Sequence, residues 1–206
     1  MKPFRRVCGP VAVLDRADVD TDQIVPKQFL KRIERTGFGR FLFFDWRFDA
    51  AGLLRHDFEL NDPDCAGAKI LIAGANFGCG SSREHAAWAL QDYGFEVVVA
   101  PSFGDIFATN CLKIGLVTIV LPAAELRLLI DSVGGGAFVE VDLARQLIVD
   151  PAGHEIPFDF DPFQRECLLN GLDDIARSLA HKDRIEAYEA SHPARVNTTA
   201  LRVGAS

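Results

Sequence analysis

The chain has no apolar run approaching the roughly 20 residues that a bilayer-spanning helix requires, so no membrane segment is expected. It has no basic block, and its net charge is −7, so nucleic acid is not an expected partner. The basic opening Met1-Lys2-Pro3-Phe4-Arg5-Arg6 lacks a following apolar core and a small-residue cleavage site, and no secretory signal is read there. No C-x-x-C occurs among Cys8, Cys65, Cys79, Cys111 and Cys167. That spacing signals neither a zinc site nor a complete iron–sulfur site, and an odd set of separated thiols suits a reducing cytoplasm. What remains is ordinary: 206 residues, 49% apolar and 25% charged, enough for one large domain with a real core.

Periodicity places an opening strand at 4–14, then a polar, turn-prone loop at 18–26 and a short helix at 27–33 stopped near Gly37. Phe38, Phe41, Phe43, Phe44, Trp46 and Phe48 crowd into the next segment. Such a cluster most simply faces the core; the alternative is a patch meeting a partner chain or an apolar part of a substrate. Three strand–helix units follow: 68–74 with 82–93, 96–100 with 103–113, and 116–121 with 123–133, the last ending at Gly134-Gly135-Gly136. Alternation of this length implies an α/β fold around a parallel sheet with right-handed crossovers. The pattern then changes to a hairpin, 137–143 and 147–150, with a turn at 151–154. Asp161 and Pro162 open a helix that breaks at Asn170-Gly171, and a second helix runs from about 172 to 190, with Leu172, Ile175, Ala176 and Leu179 on one face. The reading is a single domain over 1–190 and a disordered tail over 191–206.

The string Asn76-Phe77-Gly78-Cys79-Gly80-Ser81-Ser82-Arg83-Glu84-His85 joins the apolar run 69–73 to a helix. Free N–H groups and the helix dipole at such a turn favour negative charge. A serine there could be stabilised as an alkoxide, or an anionic substrate held. Ser81-x-x-Glu84 equally fits a capping box, in which the serine is purely structural. A cap does not require Gly78, Gly80, a second serine, or an arginine where the dipole opposes positive charge. An anion shared between the guanidinium and the helix end accounts for Arg83. Cys79 reads as a small residue filling the turn, and His85 as a packing histidine rather than a partner of Ser81. A nucleotide loop is a poor fit: no lysine follows Gly80, and strand 96–100 runs into Pro101-Ser102 without an acid for a ribose. A second polar string, Asp20-Thr21-Asp22-Gln23, stands apart in sequence.

Gly80-Ser81-Ser82-Arg83-Glu84-His85 together with Asp20-Thr21-Asp22-Gln23-Ile24 resembles the swivelling domain of the aconitase superfamily. Pro26-Lys27-Gln28-Phe29-Leu30-Lys31 and Ser102-Phe103-Gly104-Asp105-Ile106-Phe107 make the chain similar to the small subunits of bacterial 3-isopropylmalate dehydratases over about residues 4–190. The resemblance implies a β/β/α swivelling domain with a parallel strand–helix core, flanking hairpin strands and C-terminal helices. It implies a cytoplasmic hydro-lyase of leucine biosynthesis, active only with a separate large subunit. That subunit would carry a 4Fe-4S cluster, leaving this chain without metal or cofactor of its own. Carried over, Ser81 matches the catalytic base, Asp22 the aspartate that organises the site, and Arg83 and Ser82 the contacts to a hydroxydicarboxylate substrate. Substrate side-chain selection is expected within 27–48. Relatives acting on methylmalates or homocitrate, and a non-catalytic assembly subunit, remain open readings at this point.

Overall fold

Strand β1 (Arg6–Leu14) carries two different partners along its length in the computed structural model, which describes residues 1–31, 34–134 and 137–192. Its second half, Val11–Leu14, pairs parallel with β2 (Ile70–Ala73). Its first half, Arg6–Pro10, pairs antiparallel with the later strand β5 (Phe138–Asp142). Pro10, which has no N–H to donate, falls where one partner gives way to the other. The sheet order is β4-β3-β2-β1-β5-β6-β7, with β3 (Val97–Ala100) and β4 (Val117–Val120) extending the parallel half, and β6 (Leu147–Val149) and β7 (Glu155–Pro157) the antiparallel half.

Helical elements interleave with these strands. The turn α1 (Thr21–Ile24) and α2 (Phe44–Arg47) precede β2; α3 (Glu84–Tyr93), α4 (Asp105–Ile114) and α5 (Ala123–Ser132) follow β2, β3 and β4; α6 (Pro162–Asn170) follows β7. All four residues of β2 and of β3 are buried, as expected for strands covered on both faces. Successive side chains point to opposite faces, so the core splits in two. Ala12, Leu14, Leu71, Ala73, Val98 and Ala100 pack with α3, α4 and the aromatic segment. Val11, Ile70, Ile72, Val97 and Val99 pack with α5, α6 and the antiparallel strands. Each large aliphatic side chain so buried contributes about 1.5–3 kcal/mol.

The α/β class and the three strand–helix units stand as read from the sequence, and Gly94, Gly115 and Gly171 end α3, α4 and α6 at positive φ. Asp161 caps α6 by accepting from the Gln164 N–H at 2.8 Å. Four expectations differ. The loop 18–26 contains α1, and the expected helix 27–33 is a 3₁₀ turn over Lys27–Phe29, with Arg32 and Ile33 outside the described residues. Strand β7 has no counterpart in the sequence reading; it is a three-residue edge strand, too short for a periodic signal. The expected helix 172–190 is two helices, α7 (Asp174–Leu179) and α8 (Lys182–Ser191).

The chain divides into two compact units, Met1–Leu172 and Asp173–Ser206. In the second, Asp173 caps α7 by accepting from the Ala176 N–H, and Ile175, Leu179 and Tyr188 are exposed. Ser191 still belongs to α8; the remainder of the expected tail, 193–206, lies outside the described residues, as do Gly135 and Gly136.

Phe38 and Phe43 are fully buried, and Phe41 nearly so, which is the core-facing reading of the aromatic cluster. The 3₁₀ turn Gly39–Phe41 lies against the end of α3, where a Cβ on Gly39 would come within 2.7 Å of the Asp92 and Tyr93 backbone. Gly39→Ala is therefore expected to destabilise the protein by about 1–3 kcal/mol through overpacking. Urea denaturation checks this, and an unchanged midpoint would contradict the packing.

Candidate active site

The carboxyl ends of β1, β2 and β3 bring three loops together, the usual place for a site in a parallel sheet. Isolated bridges join Asp20 to Cys79 and Phe77 to Phe103. The Gly78 N–H donates to the Val19 carbonyl at 2.7 Å, the Thr21 N–H to the Cys79 carbonyl at 3.0 Å, and the Thr21 hydroxyl to the Ser81 carbonyl at 2.9 Å. Gly78 and Gly80 adopt φ of +75° and +87°. A Cβ on Gly78 would come within 2.2 Å of the Phe107 ring, so this position has room only for glycine.

The capping box forms at Asp20, not at Ser81. The Asp20 carboxylate accepts from the Gln23 N–H, and the Gln23 side chain accepts from the Asp20 N–H, both at 2.8 Å. Helix α3 begins at Glu84, with Arg83 at the cap position and no side-chain cap. The structural reading of Ser81 is thereby overturned: Ser81 lies outside the helix, and its side chain and that of Ser82 are exposed ahead of an uncapped N-terminus.

Asp22, on α1, faces Arg83 directly. Its Oδ1 pairs with Arg83 Nη1, and its Oδ2 lies 3.1 Å from Lys27 Nζ. The Arg83 side chain is 13% exposed and the Lys27 side chain 72%. A buried guanidinium requires a counter-charge, and Asp22 supplies it. Asp22, Ser81, Ser82 and Arg83 thus meet across the junction of two loops far apart in sequence.

Sequence reasoning missed three participants. Thr21 is buried and ties the loops together; Lys27 shares Asp22; neither has a spacing signal that points to the contact. The third is Asn110, which lines a cavity of about 350 Å³ beside Ser82, with Glu84, Asp105, Ile106, Thr109 and Lys113. Asn110 is 6% exposed, and its Nδ2 has no hydrogen-bond partner among the described residues.

Cys79 is not activated. Burial, then the negative charges of Asp20 and Asp18, raise its thiol above the ordinary range, so it stays protonated and fills the turn. His85 packs against Phe38 and Trp88, with ring centroids 5.1 and 4.7 Å away. Among the described residues, no three His, Cys, Asp or Glu side chains converge where a metal ion could be held, and all five cysteines are free thiols. No described helix is long and apolar enough to cross a membrane.

Residues 1–124 match the family described as the aconitase C-terminal domain, a span that includes both polar strings. The 3-isopropylmalate dehydratase small subunit of Oceanobacillus iheyensis is 54% identical, over 93% of this chain and 100% of its own length. That of Bacillus subtilis is 53% identical, over 92% and 96%. The crystal structure of 3-isopropylmalate dehydratase from Methanocaldococcus jannaschii superposes with a TM-score of 0.64 at 27% identity, covering 89% of this chain and 99% of that one. The chain belongs to the aconitase C-terminal domain family, in its branch of 3-isopropylmalate dehydratase small subunits.

Burial lowers the His85 pKa from 6.5, so on acidification the unfolded chain takes up this proton before the folded one. The stability it contributes is fully present above pH 6.5 and is lost as pH falls from there toward the lower folded-state value. Thermal melts across that range are expected to slope less steeply in His85→Phe than in the parent; identical slopes would contradict the assignment.

Proposed function

We propose that the protein is the small subunit of a heteromeric hydro-lyase that isomerises 2-isopropylmalate to 3-isopropylmalate through 2-isopropylmaleate, in the cytoplasm, as a step of leucine biosynthesis. The observation that carries the site assignment is the Asp22–Arg83 pair beside Ser81, at the uncapped start of α3. The relatives' names supply the reaction and the large-subunit partner.

In this reading Ser81 is the base. As the alkoxide it removes a proton from the carbon next to the one bearing the hydroxyl. The electron pair of the broken C–H bond forms the C=C bond, and the C–O bond breaks. The departing hydroxide becomes water by taking up the proton that Ser81 then releases, which restores the alkoxide. An unperturbed serine is a very poor base, so it requires preorganised positive potential. The N–H groups of α3, the helix dipole and Arg83 supply that potential. Asp22 fixes one edge of the guanidinium, so the other edge meets a substrate carboxylate in a defined orientation, with Ser82 as a second contact. The described residues offer no ligand set for an iron–sulfur cluster. We assign a 4Fe-4S cluster to the large subunit, as the family resemblance implies, and to this chain the base and the anion site.

Ser81→Ala leaves the loop intact, because Thr21 holds the Ser81 carbonyl rather than its hydroxyl. In the complex with the large subunit it is expected to lower kcat by about a hundredfold to ten-thousandfold. Assembly by size-exclusion chromatography stays normal. Near-parental turnover would refute the assignment. Arg83→Lys cannot keep one nitrogen on Asp22 while presenting a fork to the substrate, and kcat/KM is expected to fall about tenfold to a hundredfold; unchanged kinetics would exclude that role.

A further inference from the structure

We infer that Lys27 is a further substrate-binding residue, whose ammonium takes the second carboxylate of the hydroxydicarboxylate while Arg83 takes the first. The inference deepens the proposed function and rests on it.

A dicarboxylate needs two positive partners, and the two loops that form the site have few. Between 18–27 and 78–85 the acids are Asp18, Asp20, Asp22 and Glu84; the permanent cations are Lys27 and Arg83. Both cations converge on Asp22, one at each carboxylate oxygen. That trio carries one net positive charge and is the place on these loops that attracts an anion. Arg83 is largely buried and already committed to Asp22 at Nη1, so its guanidinium has one edge left to offer. Lys27 is largely exposed, with its ammonium 3.1 Å from Asp22 Oδ2 and two further N–H donors.

The backbone of Lys27 is held in place while its side chain stays accessible. Pro26, at φ −59°, leads into the 3₁₀ turn Lys27–Phe29. The Phe29 ring stacks on Phe41 at 4.1 Å and meets Phe44 edge-on at 4.9 Å, which pins the turn to the buried aromatic segment. An exposed lysine–aspartate pair adds little to stability. Its placement beside the one buried arginine of the site is accounted for by anion capture. The flexible stem of lysine lets the ammonium leave Asp22 and follow the ligand.

The test uses the complex of this chain with its cluster-loaded large subunit, as parent, Lys27→Met, Lys27→Arg and Lys69→Met. Lys69 pairs with Glu96 at the opposite end of β2 and controls for loss of a surface charge. In steady-state turnover of 2-isopropylmalate, Lys27→Met is expected to raise KM about tenfold or more, as for loss of one charged hydrogen bond, while kcat stays close to parental. Lys27→Arg restores most of the loss, and Lys69→Met behaves as the parent. Calorimetric titration adds a readout without turnover. Lys27→Met weakens 2-isopropylmalate by a similar factor, but not 2-hydroxy-2,3-dimethylbutanoate, which lacks the second carboxylate. An unchanged KM, or a fall in kcat at unchanged KM, would overturn the inference, the latter by showing that Lys27 acts only by positioning Arg83 through Asp22. A parent complex that turns over citramalate or homocitrate instead refutes the proposed reaction, and the same KM comparison on that acid decides Lys27. A parent that binds none of these acids overturns both.

Discussion

The pairing of Arg83 with Asp22 is the interaction on which the rest of the site depends. A guanidinium at the start of a helix is opposed by the helix dipole, and burial adds a desolvation cost. Removing the carboxylate would leave that charge uncompensated, which costs far more than an exposed pair contributes. Asp22 cancels the opposition locally without cancelling the field of the whole N-terminus. The first turn of α3 therefore keeps its attraction for an anion, while the arginine is held in one orientation beside two exposed serines.

The fold exists around that pair in a specific sense. Asp22 is placed by a four-residue helical turn with a complete capping box, and Arg83 by a loop whose Gly78 has no room for a side chain. Neither element stands alone. The first hangs from the end of β1 and the second from the end of β2, and those strands are adjacent and parallel. Thr21 then closes the gap, its N–H donating to the Cys79 carbonyl and its hydroxyl to the Ser81 carbonyl. The antiparallel strands and α6 build the second face of the core and leave this edge of the sheet open.

Much of this was legible in the sequence, and the failures share a cause. Strands β2 and β3, helices α3 to α6 and the glycine stops of α3, α4 and α6 follow from periodicity and capping, which are local. The two polar strings were recognisable, but their contact was not, because the pairing of Asp20 with Cys79 is set by neighbouring strands rather than by spacing. The capping box shows the same limit. Ser81-x-x-Glu84 and Asp20-x-x-Gln23 both fit the pattern, and only the second forms, while the Ser81 carbonyl is held by Thr21 outside the helix. Lys27 and Asn110 were missed for the converse reason: an exposed lysine and a helical asparagine carry no signal until their surroundings are known.

The central claim is that this arrangement serves dehydration of a hydroxydicarboxylate once the large subunit is present. The most direct measurement mixes the chain anaerobically with a cluster-loaded large subunit and follows the absorbance of the unsaturated product from 2-isopropylmalate, citramalate and homocitrate. The account predicts rapid formation of 2-isopropylmaleate and little product from the other two. Preference for either of them, or no product from any of the three, would contradict it.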